Sequence, residues 1–118
     1  MPRRTPESFL PLKSHWFHIL LCLVDGEQHG YGIRQEVLER TDGKVPLWPA
    51  TLYGSLKRLI HAGLIEESGE RPAAELDDAR RRYYKLTSLG RRVLDLESER
   101  LKDLVRVLHA KRRQEARE

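Results

Sequence analysis

A single cysteine rules out an intrachain disulfide, and Cys22 lies inside an apolar run, as a buried free thiol in a reducing compartment would. Aromatic residues are scarce at 7%, and the longest apolar stretch, Ile19 to Val24, falls far short of the roughly 20 residues that span a bilayer. With no small-residue cleavage pattern after it, the chain reads as a cytoplasmic protein, intact at its N-terminus and without a membrane partner. Glycine-rich phosphate loops, a Ser/His/Asp order and paired carboxylates at a strand end are all missing, which excludes the common enzyme frameworks. His15, His18 and Cys22 have ligand-compatible spacing on one helix, but no further His/Cys cluster completes a site. No metal and no other cofactor is expected.

What is present is charge. Charged residues make up 34% of the 118 positions, with a net charge of +4, a balance that suits a soluble protein approaching a polyanion. The length supports one domain with one core, and a deep enzymatic cleft would need walls from a second subunit.

Residues 1–11 hold Pro2, Pro6, Pro11 and two arginines with little apolar periodicity, and read as an N-terminal arm. From Leu12 the run LKSHWFHILLCLV has the apolar density of a largely buried helix, stopped by Asp25-Gly26. A second, amphipathic helix is expected from about His29 to Thr41, with Tyr31, Ile33, Val37 and Leu38 as its apolar members. The third, WPATLYGSLKRLIHAG, has Pro49 in its first turn, where the missing N–H costs nothing, and Gly63 just past its end. At 100° per residue, Leu52, Leu56, Leu59 and Ile60 share one face, and Ala50, Thr51, Gly54, Lys57, Arg58 and His61 the other. The second face alternates small residues with cations and carries nothing acidic, so a negatively charged groove is its natural partner.

After Gly63 the runs LIEES and RYYKL read as a hairpin with a long tip containing Pro72, its second strand led by Arg80-Arg81-Arg82. Thr87 is a plausible N-cap for a long last helix over residues 87–113, followed by a tail over 114–118. That helix carries two apolar sets. Leu86, Leu89, Val93 and Leu96 serve the home core; Leu94, Leu101, Leu104, Val105 and Leu108 reach too far beyond a small domain and need a partner, most simply a second copy. Three helices and a hairpin over residues 12–86 give a mainly α fold with an α+β wing: a winged helix-turn-helix with a long C-terminal dimerisation helix.

The segments ILLCLVDGEQHGYGI, PATLYGSLKRLIHAGLIEES and RRRYYKLTSLG carry His-Gly-Tyr, Pro-x-Thr-Leu-Tyr, Arg-Leu-x-x-x-Gly-Leu-Ile and Arg-x-Tyr-Tyr-x-Leu-Thr-x-x-Gly patterns in order. In these the chain resembles the PadR family of bacterial transcriptional regulators, and its single long last helix looks like the family's smaller subclass. The resemblance implies a homodimeric repressor or sensor bound to double-stranded DNA at a roughly palindromic operator. It matches Tyr31 to a tyrosine that meets the DNA backbone and Thr51, Tyr53 and Lys57 to recognition-helix contacts. The chemistry of the residues agrees: Thr51 offers a hydroxyl, and Lys57 and Arg58 can neutralise phosphate or reach guanine. Packing with a wetted hydroxyl is the other reading of Tyr31 and Tyr53.

Two positions depart from the pattern. Trp48 stands where a capping serine is usual, and either packs against the second helix or leaves the first turn to water or phosphate. The wing tip is acidic, with Glu70, Glu75, Asp77 and Asp78 against Arg71, so DNA contact is assigned to Arg80, Arg81 and Arg82 at the wing's base. The resemblance also allows a small aromatic effector, for which Phe9, Trp16 and Phe17 would suit a pocket; core packing explains those rings equally. The competing class is a winged helix that dimerises and binds another protein without specific DNA binding.

Overall fold

The computed structural model describes residues 4–72 and 80–117. A short 3-10 turn, Pro6–Phe9, leads into α1 (Ser14–Cys22), β1 (Gln28–His29), α2 (Gly30–Arg40), α3 (Pro49–His61), β2 (Ile65–Pro72), β3 (Arg80–Leu86) and α4 (Ser88–Arg117). The strands form an antiparallel sheet in the order β1-β3-β2, with Gln28 opposite Tyr84 and Ile65 opposite Leu86. Among the described residues no helix is long and apolar enough to cross a membrane. The mainly helical winged helix-turn-helix read from the sequence is the fold observed.

Local chemistry accounts for how α3 ends. Gly63 takes φ +81°, its N–H donates to the Ile60 carbonyl, and the next N–H, of Leu64, reaches back to the Leu59 carbonyl at 3.0 Å. This is the paired closure by which a left-handed residue terminates a helix, and it turns buried Leu64 into the core. Leu52, Leu56 and Leu59 are fully buried and Ile60 half-buried, together with Ile19, Leu20, Ile33, Val37, Leu47 and Val93. Ser55 is buried with them because it sits three and four residues from Leu52 and Leu59 on the same face.

Three expectations are corrected. Within the expected arm, Phe9 does not lie outside the core: it is 7% exposed within the core cluster, and the Leu12 N–H that follows donates to Glu97 Oε2 of α4 at 2.7 Å. Leu94 is 8% exposed in the same cluster, because α4 keeps packing on α1 and the N-terminal turn for a further helical turn. The last helix runs to Arg117, well past residue 113, since Gln114, Glu115, Ala116 and Arg117 all favour helix.

Candidate nucleic-acid interface

The outward face of α3 is built by its periodicity. Ala50, Thr51, Lys57, Arg58 and His61 are exposed, Tyr53 is 54% exposed and Gly54 half-exposed, and no acidic side chain occurs anywhere in the helix. Its first turn has no side-chain cap, and the helical ladder begins only with the Leu52 N–H on the Trp48 carbonyl at 2.9 Å. The amides of Ala50 and Thr51 therefore stand at the positive end of the helix dipole, ahead of the ladder. Trp48 is 62% exposed and touches the second helix through Arg34 of α2, whose guanidinium lies 5.9 Å from the ring centroid and whose Nε donates to the Leu47 carbonyl.

Beside α3, the start of α2 and the wing's base enclose a hollow of about 360 Å³ lined by His29, Gly30, Tyr31, Tyr53, Arg81 and Arg82, with Tyr84 at its back. His29 caps α2, its Nδ1 accepting the Gly32 N–H at 2.9 Å, and its ring meets Tyr83 edge to face at 5.3 Å. Tyr31 is half exposed; its hydroxyl accepts from Gln35 Nε2 at 2.9 Å, and the Arg81 guanidinium lies 5.3 Å from its ring centroid. Tyr53 closes the gap to α3, its hydroxyl so near Gly30 that a Cβ there would come within 3.1 Å. The structure thus brings Tyr31, Tyr53 and Arg81 together, and adds His29, which periodicity does not single out because β1 is only two residues long.

The three wing arginines do not act as one cluster. Strand alternation turns Arg81 toward Tyr31, while Arg82 is held by Glu70 at 3.2 Å and Glu67 at 3.6 Å, pairings that raise its pKa. Glu70 is therefore engaged within the hairpin. Of Arg80 only the backbone is described, opposite Pro72, and Glu75, Asp77 and Asp78 lie outside the described residues. Arg71 pairs with Glu27, which also accepts from Ser68 Oγ at 2.6 Å, so the loop before β1 is pinned to the wing.

Comparison with known proteins settles the lineage. Residues 19–96 match the model of the transcriptional regulator PadR-like family. The chain belongs to that family. An uncharacterized protein of Lysinibacillus sphaericus is 33% identical over 84 residues, 70% of this chain and 74% of its own. A transcriptional regulator of Clostridium thermocellum superposes with a TM-score of 0.66 at 25% identity, over 80% of this chain and 89% of its own. A PadR family transcription regulator of Clostridium difficile gives 0.67 at 26%, over 80% and 94%. Bacillus subtilis PadR, solved in complex with operator DNA, gives 0.61 at 25%, over 72% of this chain and 46% of its own. PadR-like proteins are transcriptional regulators and not enzymes.

The PadR match stops at Leu96, short of an apolar stripe on α4. Leu101, Leu104, Val105 and Leu108 are exposed by 39, 54, 48 and 45%, joined by Val107, and a shallow groove of about 430 Å³ runs between Phe17 and Leu101 and Val105. The aromatics named for an effector do not share a pocket. Phe9 is in the core, Phe17 borders that α4 groove, and Trp16 lines a separate groove of about 1180 Å³ with Ile60, Leu89, Lys57 and Arg58. Burial, and then Glu36, push the Cys22 thiol up to about 12, and Arg40 donates to the His18 carbonyl at 3.0 Å.

Proposed function

We propose that two copies of this PadR-like chain, paired along α4, bind a near-palindromic operator with each α3 in a major groove, and repress transcription by occupying the promoter. The observation that carries this reading is the run of exposed Thr51, Tyr53, Lys57 and Arg58 on a helix without acidic residues, continued through Tyr53 into the Tyr31–Arg81 hollow. Lys57 and Arg58 reach guanine edges or phosphate, the uncapped first turn meets phosphate, and Tyr31 and Arg81 follow the flanking backbone. The operator-bound structure of Bacillus subtilis PadR, similar in fold, supports the same mode here. Pairing along Leu101, Leu104, Val105 and Leu108 sets the separation of the two α3 helices, which must match successive major grooves about 34 Å apart. Any ligand that rotates one subunit against the other spoils the match. For a small aromatic effector the reading assigns the groove beside Trp16, because Lys57 and Arg58 form part of its wall.

The test is fluorescence anisotropy of the purified protein on its own promoter duplex and on a scrambled one, each at low and near-physiological salt. Specific binding of one dimer per site at the higher salt is expected. Equal, weak binding to both duplexes that vanishes with salt would overturn it and leave the protein-binding winged helix.

A further inference from the structure

Trp48 is the most exposed large apolar side chain among the described residues, yet its backbone is fixed on both sides. Leu47 before it is fully buried, and its carbonyl accepts from Arg34 Nε at 3.1 Å. Pro49 after it confines residue 48 to extended backbone, seen as φ -60° and ψ 148°. The indole is thus held out at the N-cap of α3, where its side chain makes no capping bond, next to exposed Ala50 and Thr51. Arg34, which lies over the ring, is one helical turn along α2 from Tyr31, so the indole continues the surface on which Tyr31 and Tyr53 stand. An uncharged ring cannot neutralise phosphate. With α3 in a major groove, its first residues face base edges, and the large apolar feature displayed there is the thymine C5-methyl group.

We infer that Trp48 is a specificity-determining residue that reads thymine, its indole packing on the C5-methyl group of one thymine in each half-site. The inference rests on the operator-binding reading and names one base within it. Lys57 and Arg58, further along α3, supply charge; Trp48 supplies an apolar contact that only a methylated base completes.

Replacing single thymines of the promoter duplex by deoxyuridine removes the methyl group and nothing else. At one thymine in each half-site the wild type should lose affinity about fourfold, the transfer value of one buried methyl group. Trp48→Ala should bind the unmodified duplex about fifteenfold more weakly, both half-sites being affected, and lose nothing further at those two thymines; at every other thymine the losses add. The salt dependence should be unchanged, since no cation is removed. Trp48→Ser guards against a folding defect, because serine supplies the capping oxygen that the first turn of α3 lacks. It should melt above the wild type and be as indifferent as Trp48→Ala to uracil at the two positions. A wild type indifferent to every uracil, undiminished affinity of Trp48→Ala, or losses that add at every thymine overturns the inference while leaving operator binding in place. A wild type that binds no duplex specifically overturns both.

Discussion

Gly90, in the first turn of α4, packs directly on the carbonyl of Leu64, leaving no space for a side chain. The same carbonyl accepts the Thr87 N–H at 3.1 Å, while Thr87 Oγ1 donates to the Gly63 carbonyl at 2.5 Å and caps α4 by accepting the Gly90 N–H at 3.0 Å. The end of α3 and the start of α4 are therefore one joint, and the direction in which α4 leaves the domain is set beside α3.

Gly90→Ala forces a methyl group into the Leu64 carbonyl, with backbone rather than a flexible side chain in the way. A loss of about 1–3 kcal/mol is expected, the usual cost of overpacking. Denaturant unfolding measures it, and a variant as stable as the wild type would show that the joint can give.

Glu97 is 2% exposed, with the Leu12 N–H on one oxygen and Arg100 Nε on the other. Arg100 foremost, and then the Leu12 N–H, hold its carboxyl below the usual glutamate range against the opposing effect of burial. A depressed folded pKa means that ionised Glu97 stabilises the fold above the ordinary glutamate value, and that this contribution is lost as pH falls through the lower folded value. Glu97→Ala should cost about 1–3 kcal/mol at neutral pH by stranding the Leu12 N–H. Unfolding measured across the acid range should then fall less steeply for the variant. Parallel curves would remove Glu97 from the account of acid stability.

Leu94 and Leu104 stand on one helix with opposite expectations. Leu94→Ala opens a cavity in the home core and should cost about 2–5 kcal/mol, whereas Leu104→Glu alters a residue 54% exposed in one copy and should leave the domain folded but monomeric. Sedimentation separates the two: a Leu104→Glu protein that still sediments as a dimer would move the interface elsewhere.

Cys22 is 5% exposed and its thiol is pushed up to about 12, so almost no thiolate forms at neutral pH. Iodoacetamide should label the native protein only as fast as it opens, and denaturant should raise the rate by orders of magnitude. Rapid labelling of native protein would contradict the burial.

Much of this was legible in the sequence, for physical reasons that differ by element. The two faces of α3 follow from 100° spacing between Pro49 and Gly63, and the hairpin from β-branched and aromatic runs. Its expected tip, from Gly69 to Arg81, is too long, because β2 continues through Gly69 to Pro72, which pairs with Arg80 instead of lying in the turn. β1 was not legible, because two residues carry no alternation and Gln28 and His29 become a strand only by pairing with Tyr84 and Tyr83. The burial of Phe9 and Leu94 is hidden from the sequence for a related reason. Where α4 stops touching the domain depends on the N-terminal turn folding back on it, an interaction between segments some 85 residues apart. Glu97 interrupts an apolar face, and nothing local announces the amide and guanidinium that make its burial tolerable.

The outward face of α3 is the centre of this account, and Lys57→Ala with Arg58→Ala tests it most directly. Both side chains are exposed and neither belongs to the core. Anisotropy on the promoter duplex should show specific binding abolished, with the salt dependence reduced by about 0.9 for each phosphate no longer neutralised, while sedimentation shows the dimer intact. Undiminished promoter affinity in that double variant would contradict the assignment of α3 as the reading helix.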